Sequence, residues 1–395
     1  MKPPLKYFLA SDTINNQDMD ALADWIKTHP RLTMGPLTEE YEQRWNQWIE
    51  RKYSVFCNSG SSANLLMYYA LLLSGRLKNK KVIVPSAAWV TSIAPAIQFG
   101  FEPIMCEADR ETFGLNLNHL EELLKEHKPA TVFMVHVLGV PNNMNRIMAL
   151  KDKYGFFLLE DACAAMGSSF QGRKVGTFGE MASISTYFGH QFSTIEGGMV
   201  STDDERFHTL LYMLRSHGWI KGLDDHNRAE ILSEHGVEDI GTDFIFVLPG
   251  FNVRPTDLQA YVGISQLDKM DGLIRSRFAN HELYRKLLTP HFFTQTYDSS
   301  AVVCSIHFCA VARDSEQRQE IVTALGNHGI ETRLFTAGNQ GRHPYWSERF
   351  VPFSSPIANK LYTDGFFLPN NPSLSKEDVE YIASVAINAI KEIVR

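Results

Sequence analysis

Residues 156–161 read Phe-Phe-Leu-Leu-Glu-Asp, a short apolar run that ends in two carboxylates. A continuous apolar run of this length is typical of a strand buried on both faces of a sheet. Similar runs recur along the chain and alternate with helical patterns, which predicts an α/β fold with a mostly parallel central sheet and helices on both faces. The predicted strands are 82–86, 103–109, 131–139, 156–161, 182–189 and 198–204.

The pattern changes toward both ends of the chain. Past about residue 275 comes a β-branched and aromatic segment, 301–311, and two helical patterns follow it, at 315–329 and 375–394. We therefore predict a large domain over 1–275, which begins with a helical segment, and a smaller α+β domain over 276–395. The amphipathic helix of that first segment is predicted from apolar residues at every fourth position: Leu37, Tyr41, Trp45 and Ile49.

Composition excludes several classes of function. The chain has 395 residues, 44% of them hydrophobic, and a formal net charge of −7. A nonspecific nucleic-acid binder would be basic, so we predict no nucleic-acid partner. No run of eighteen apolar residues occurs, and the N-terminal apolar stretch is too short for a secretory signal, so we predict no membrane span.

The cysteines indicate the compartment. There are five, which are scattered along the chain, and they form neither a zinc-ligand spacing nor a four-cysteine iron–sulfur pattern. An odd number of dispersed cysteines is most simply explained by the reducing cytoplasm. We predict a cytoplasmic protein with no metal site.

A glycine and several hydroxyl residues, at 58–64, stand just before the apolar helical run 65–73. Backbone N–H groups and the positive end of the helix dipole at such a start form a ready anion site, with Gly60 and Ser61 as its candidates. Ordinary helix capping by Ser and Asn explains the same residues and is the commoner role for such a segment taken alone.

Two further residues stand at the ends of predicted strands. Asp161 follows the apolar run 156–161, where ligands of α/β sheets gather, and its carboxylate can pair with a protonated ring nitrogen. The alternative role for this carboxylate is a helix N-cap. His190 stands alone among hydroxyls and glycines between two predicted strands, and a lone histidine is more often structural than catalytic.

These motifs, in this order, resemble the DegT/DnrJ/EryC1/StrS group of nucleotide-sugar aminotransferases, which have the aspartate aminotransferase fold. The resemblance rests on the 58–64 turn, Trp89 after Val-Pro-Ser-Ala-Ala, Glu160-Asp161, and a loop that ends in Glu196-Gly197-Gly198. It extends nearly end to end, through 32–42, 214–219, 248–260 and 367–379. The resemblance implies a pyridoxal 5′-phosphate (PLP) or pyridoxamine 5′-phosphate (PMP) enzyme with the type I transferase fold.

The chain departs from the family at the position of the Schiff-base lysine. That lysine stands six residues before the Glu of the Glu-Gly-Gly motif, and here the residue is His190, with no lysine between Lys174 and Lys221. Histidine at this point resembles the sugar 3-dehydratases of the group. One kind of these dehydratases carries an iron–sulfur cluster on four cysteines that this chain lacks. The other kind acts on GDP-4-keto-6-deoxymannose without a cluster.

The resemblance therefore implies a PMP/PLP-dependent 3-dehydratase that holds its cofactor noncovalently and has no iron–sulfur cluster. Its substrate would be a nucleotide-linked 4-keto-6-deoxyhexose, best matched by GDP-4-keto-6-deoxymannose. The 3,6-dideoxy-4-keto product would serve colitose-like dideoxysugar and O-antigen biosynthesis. An amino donor, by analogy glutamate, would regenerate PMP.

The resemblance also implies residue roles. His190 would act as base and then acid, and Asp161 would hold the pyridinium nitrogen. Trp89 would stack on the cofactor ring, with an ordinary core aromatic as the alternative. Phosphate contacts would come from Gly60, Ser61, Ser185 and, from a partner subunit, Asn252.

The role of Asn252 implies a homodimer with shared active sites. His217 and Arg333 are candidates for contacts with the substrate or with the donor carboxylate, and a surface ion pair is the equal alternative for Arg333. At Ala164 relatives place a polar residue near the ring hydroxyl, so another group or water must meet that hydroxyl here. Two alternative functions stay open: a 4-aminotransferase with an engineered or natural lysine-to-histidine change, and a catalytically inactive cofactor-binding protein.

Overall fold

The computed structural model describes residues 3–241, 244–336 and 338–393. The outermost residues of the two predicted domains, 1–2 and 394–395, lie outside the described residues. The strands, in chain order, are β1 (Tyr53–Cys57), β2 (Lys81–Pro85), β3 (Glu102–Cys106), β4 (Thr131–Val135), β5 (Phe157–Asp161), β6 (Ser169–Phe170), β7 (Arg173–Lys174), β8 (Met181–Ser185), β9 (Gly198–Thr202), β10 (Phe293–Thr294), β11 (His307–Val311), β12 (Arg333–Leu334) and β13 (Gly365–Pro369).

The helices surround two sheets. They are α1 (Asn16–Lys27), α2 (Pro36–Ile49), α3 (Gly60–Leu73), α4 (Ala94–Gln98), α5 (Leu117–His127), α6 (Met144–Tyr154), α7 (Glu205–Arg215), α8 (Asp225–Glu234), α9 (Asp257–Leu267), α10 (Met270–Leu288), α11 (Ser315–Asn327), α12 (Pro344–Ser347), α13 (Pro356–Asp364) and α14 (Lys376–Ile393).

The large sheet has seven strands in the order β1-β9-β8-β5-β4-β2-β3. Only β9 runs antiparallel to its neighbours, and the pairs from β8 through β3 are parallel. Alternate strand residues point to opposite faces, so Phe133 and Leu159 pack with α3 and α7, whereas Val132 and Leu158 pack with α5 and α6. The predicted mostly parallel sheet with helices on both faces is confirmed.

The second sheet has four strands, in the antiparallel order β10-β11-β13-β12. One of its faces, with Phe308 and Phe366, packs against α10, α11 and α14. Cys309 and Phe367 on the opposite face join the core beneath the large sheet. The predicted division at 275/276 falls inside α10 and stays a prediction.

Several strands are shorter than predicted. The 131–139 strand ends at Val135 because Leu138 and Gly139 turn into positive φ, where a Cβ on Gly139 would lie 2.7 Å from the Cα of Ser305. Of the β-branched and aromatic segment 301–311, only His307–Val311 forms a strand. Strand β1, which has the sequence Tyr-Ser-Val-Phe-Cys, was not among the predicted strands.

Within the described parts of the chain, no helix combines the length and the apolar character needed to cross a bilayer.

Candidate active site

The predicted site residues converge on one edge of the large sheet. Asp161 ends β5, Ser185 ends β8, and Gly60 opens α3 directly after β1. Trp89 follows β2 at the same edge, as the residue that precedes a 3₁₀ turn. This is the carboxyl edge of the parallel strands, where α/β proteins bind their ligands.

Close backbone approach explains the glycine at the start of α3. A Cβ on Gly60 would lie 2.6 Å from the Cβ of Ser185 and 3.1 Å from Sγ of Cys163. The second glycine of the Glu-Gly-Gly motif faces the same point, because a Cβ on Gly198 would lie 2.6 Å from the nitrogen of Gly60. Only hydrogen fits at either position. The nitrogen of Ser62 donates to Oγ of Ser59 at 3.1 Å, so Ser59 caps the helix, whereas the N–H groups of Gly60 and Ser61 have no side-chain partner within the described residues. An anion can therefore approach them closely.

The carboxylate of Asp161 is buried and held by three donors. Oδ2 accepts from Nδ2 of Asn64 at 2.9 Å and from Oγ of Ser92 at 2.7 Å. Oδ1 accepts from the backbone nitrogen of Cys163 at 3.0 Å. This oxygen keeps a lone pair available, so Asp161 can accept one further hydrogen bond from a ligand N–H.

His190 lies in the loop between β8 and β9, where its backbone nitrogen donates to the carbonyl of Tyr187 at 2.9 Å. Burial lowers the pKa of its imidazole to about 4, the charge of Asp161 raises that pKa, and the charge of Arg277 lowers it. Nδ1 is buried and has no hydrogen-bond partner within the described residues. The imidazole is thus a neutral base near a carboxylate, with an uncommitted ring nitrogen.

Aromatic side chains stand uncovered beside this edge. Trp89 is 56% exposed, which is inconsistent with the alternative of an ordinary core aromatic. Tyr187 and Phe188, next to His190, are also exposed. Two residues after Trp89, Oγ1 of Thr91 accepts from Oγ of Ser61 at 3.3 Å and ties the Trp89 turn to the start of α3.

His217 and Asn252 lie close together, because the backbone of residues 216–217 pairs with that of residues 251–252. The nitrogen of His217 donates to the carbonyl of Phe251 at 2.5 Å, and Ser216 pairs with Asn252. Asn252 is exposed, and the carbonyl of the next residue, Val253, accepts from the nitrogen of Asn58 at 3.0 Å. Among the described residues, no contact joins His217 or Asn252 to His190.

Arg333 lies in the second sheet, where it is exposed on β12 opposite Phe367 of β13. The ring of Phe367 stacks on His307 at 5.4 Å. Burial and the positive charges of Arg277 and Arg333 lower the pKa of His307 to about 3, and a proton on His190 acts in the same direction. Arg333 therefore belongs to a group of basic residues that extends from the second sheet toward His190. No ion pair of Arg333 occurs in the described chain, which weakens the alternative of a surface ion pair.

Several residues of this arrangement were missed from the sequence: Asn64, Ser92, Gln191, Arg277 and His307. Asn64 carried a usable signal, since it is a lone amide in a strongly apolar helix. The others have no local pattern that distinguishes them from surface polar residues. At Ala164, the backbone carbonyl accepts from Nε2 of Gln191 at 2.8 Å.

The described residues contain no group of three His, Cys, Asp or Glu side chains arranged to bind a metal. All five cysteines are free thiols, and only that of Cys163 is incompletely buried. Burial, followed by the charge of Asp161, raises the pKa of the Cys163 thiol well above its ordinary value. This thiol is therefore protonated at neutral pH and does not act as a nucleophile.

Comparison with known proteins gives consistent matches. The chain is 33% identical over 340 residues to GDP-4-keto-6-deoxy-D-mannose 3-dehydratase of Yersinia pseudotuberculosis, which covers 85% of this chain and 86% of that protein. It superposes with a TM-score of 0.89 and 29% identity on the Escherichia coli enzyme of that name with bound hydrated PLP, over 97% of this chain and 100% of the other. A GDP-4-keto-6-deoxymannose-3-dehydratase with a trapped PLP–glutamate geminal diamine gives a TM-score of 0.88 at 29% identity, covering 96% and 100%.

These likenesses confirm the predicted aspartate aminotransferase-like fold. A family match extends over residues 12–386, from before α1 into α14. That range contains every predicted site residue, from Gly60 to Arg333. The chain belongs to the DegT/DnrJ/EryC1/StrS aminotransferase family.

Proposed function

We propose that this protein is a PMP/PLP-dependent 3-dehydratase that removes the C3 hydroxyl of GDP-4-keto-6-deoxymannose and leaves a 3,6-dideoxy-4-keto sugar. One observation carries the proposal: the residue beside Asp161, at the site formed with Gly60 and Ser185, is the histidine His190 and not a lysine. Two relatives, each matched over most of its length, are named GDP-4-keto-6-deoxy-D-mannose 3-dehydratase.

The residues present fit the cofactor. The open start of α3 at Gly60 and Ser61, with Ser185 facing it, would hold the phosphate. Asp161 would accept the ring N–H on Oδ1, and the exposed indole of Trp89 would cover one ring face. When bound, the cofactor supplies an amine that condenses with the C4 keto group and an electron sink that allows the C3 hydroxyl to leave.

His190 would move the proton. Its imidazole is neutral at physiological pH because burial lowers its pKa to about 4, so it can accept a proton at the uncommitted Nδ1. The imidazolium would then donate this proton to the departing hydroxyl, which leaves as water. Imidazole cannot form the imine by which a lysine retains the cofactor, so the cofactor would be bound only by noncovalent contacts.

The overall balance requires a reductant, because replacing C–OH by C–H adds two electrons to the sugar. Glutamate meets this need: its oxidation to 2-oxoglutarate with release of ammonia supplies two electrons per sugar. Glutamate as donor is supported by the PLP–glutamate adduct trapped in a related dehydratase. His217 and Arg333 stay the proposed contacts for the sugar nucleotide or for the donor carboxylate.

We also propose a homodimer with shared active sites. Large apolar side chains of the loop that carries His190 are exposed, and a partner subunit would bury them: Tyr187, Phe188 and Ile195. Asn252, which is exposed and pairs with Ser216, would reach the cofactor phosphate of the other protomer. A cytoplasmic location and the absence of nucleic-acid partners stay predictions from composition.

Incubation of the purified protein with PLP, glutamate and GDP-4-keto-6-deoxymannose tests the proposal. We expect a sugar nucleotide with one oxygen atom fewer, a methylene at C3 in its NMR spectrum, and one ammonia and one 2-oxoglutarate per sugar. A 4-aminotransferase would release 2-oxoglutarate without ammonia and retain the C3 hydroxyl. An aminated product would therefore contradict the proposal, as would absence of any turnover in the cofactor-loaded protein.

A further inference from the structure

Arg277, on α10, has an unusual environment for a charged side chain. Its side chain is 1% exposed, and within the described residues no carboxylate pairs with it. Its recorded hydrogen bonds go only to backbone carbonyls: Asn370 at 2.5 Å, His190 at 3.2 Å, Ser305 at 3.3 Å, Ile306 at 3.4 Å and Gln191 at 3.5 Å. A buried cation usually has an anionic partner, so the reason for this one lies in what it holds together.

These carbonyls belong to three separate segments of the chain. His190 and Gln191 are in the loop at the edge of the large sheet, Ser305 and Ile306 lead into β11, and Asn370 follows β13. The guanidinium is planar, and its Nη1 and Nη2 atoms together bridge all three segments, whereas the buried Nε has no partner within the described residues. The loop that carries His190 is thereby fixed to the second sheet.

The neighbouring Gln191 strengthens the same attachment. Its Nε2 donates to the carbonyl of Ala164 at 2.8 Å and to that of Cys304 at 2.7 Å. The side chain of Gln191 therefore fixes the loop to the end of β5 and to the segment before β11. Arg277 and Gln191 together therefore tie the backbone at His190 to other segments of the chain.

The charges around the His190 imidazole have opposing effects. Asp161, at the end of β5, favours the imidazolium, and so does the backbone of Cys163. Arg277 disfavours it, and burial acts in the same direction. His307, the buried histidine at the start of β11, is itself held neutral, with a pKa lowered to about 3, and adds no charge at neutral pH. Arg277 is thus the fixed positive charge that opposes Asp161.

We propose that Arg277 is a positioning residue for His190, which anchors the loop that carries the imidazole and supplies a permanent positive charge beside it. The inference rests on the proposed function, in which His190 must be unprotonated to accept a proton. A lysine in this position would retain the charge but not the five-donor geometry. A glutamine would retain some hydrogen bonding but not the charge.

The two substitutions therefore separate the charge of Arg277 from its hydrogen-bonding geometry. Arg277→Gln and Arg277→Lys are compared with the wild type as PLP-loaded protein, and Arg215→Lys is the control. Arg215 is an equally buried arginine on α7 that donates to the carbonyl of Phe56 and pairs with Glu42, away from the His190 loop. The first readout is the NMR titration of His190, identified by its loss in His190→Asn. The second is the pH profile of sugar turnover.

For Arg277→Gln we expect the His190 titration and the acid limb of kcat to move to higher pH by roughly half a unit or more. For Arg277→Lys we expect an unmoved titration and a kcat about tenfold lower, with KM for the sugar nearly unchanged, because the loop is misplaced while the charge stays. Arg215→Lys should shift neither the His190 titration nor the acid limb of the kcat profile. Should Arg277→Gln fail to fold, Arg277→Lys still tests the positioning role.

An unmoved His190 titration in Arg277→Gln would overturn the electrostatic part, and wild-type kcat in Arg277→Lys would overturn the positioning part. The titration requires no turnover, so it distinguishes a failure of this inference from a failure of the proposed reaction. An aminated product with a shifted titration would contradict the dehydratase and leave the role of Arg277 supported.

Discussion

The Nδ2 atom of Asn64 lies 2.9 Å from Oδ2 of Asp161, across 97 residues of sequence. Asn64 is one helical turn beyond Gly60, so the helix whose first residues form the anion site also orients the carboxylate for the ring nitrogen. Oγ of Ser183 donates to Oδ1 of Asn64 at 2.6 Å, which fixes which side of the amide faces Asp161. The phosphate site and the ring site are therefore parts of one rigid unit.

Replacement of Asn64 by leucine should weaken cofactor binding. The change preserves the helix and the approximate volume but removes a donor to a buried carboxylate, which costs about 1–2 kcal/mol and corresponds to a PLP dissociation constant roughly tenfold higher or more. An absorbance titration with PLP measures it. Asn118→Ala, at an exposed asparagine of α5, is the control. Equal affinities for Asn64→Leu and wild type would show that Asn64 does not support the cofactor site.

Gly60→Ala should impair PLP binding more than Ser61→Ala does. The new methyl group would lie 2.6 Å from the Cβ of Ser185, which is attached to the backbone and cannot rotate away, so the start of α3 must shift. Gly326→Ala is the matched control, since Gly326 lies in a helix and a Cβ there meets nothing within 4 Å. That control should stabilise the fold by about 0.5–1 kcal/mol and bind PLP normally. Normal PLP binding by Gly60→Ala would remove Gly60 from the phosphate site.

The strands of the large sheet were predictable because each buried strand leaves a local apolar run in the sequence. Their ends were less predictable: β4 stops at Val135 because Leu138 and Gly139 adopt positive φ, and that choice depends on packing against Ser305. Periodicity carries no information about such a contact, because it joins residues far apart in sequence.

The active-site residues were likewise only partly predictable from the sequence. Gly60, Asp161 and His190 were recognisable from their motifs, each within a few residues of a strand or helix end. Apart from Asn64, their partners were not recognisable, since Ser92 reaches Asp161 across 69 residues and Arg277 reaches His190 across 87. A single sequence reveals which residue types stand at strand ends, and only the fold reveals which distant side chains hold them.

His190→Asn should abolish turnover while leaving the cofactor bound. Removal of a general base costs on the order of 10²–10⁴ in rate, whereas Asn retains the polarity of the loop. Rapid-quench assays give the rate, and PLP absorbance after gel filtration gives the cofactor content. Retention of more than about a tenth of the wild-type rate would contradict the role of His190. The control is His127→Asn, at the half-buried last residue of α5.

Borohydride treatment tests the noncovalent cofactor directly. No lysine occurs between Lys174 and Lys221, a stretch that includes the loop of His190. Reduction of the PLP-loaded protein should therefore leave the cofactor removable by denaturation and dialysis. His190→Lys should become covalently labelled under the same conditions, with the label on the loop peptide in mass spectrometry. Stable labelling of the wild-type protein would require another lysine in the site and would contradict this account.

The protein should lose stability as the pH falls from about 6.5 toward 4. Burial lowers the pKa values of His190, His208 and His281 to about 4, below the ordinary value of 6.5 that they regain on unfolding. Between these values the unfolded chain binds more protons than the folded one, so unfolding becomes easier with each step of acidification. Urea unfolding from pH 7.5 to 4.5 measures the loss.

His208→Phe isolates one of these contributions. The His208 ring stacks on Tyr53 at 4.6 Å and 14°, so phenylalanine preserves the stack and removes the titrating group. We expect the variant to lose about 1–2 kcal/mol less stability than wild type over pH 6.5–4.5, with little difference above pH 7. A parallel pH dependence for the two proteins would mean that His208 has the same proton affinity folded and unfolded, and the loss would then come from other groups.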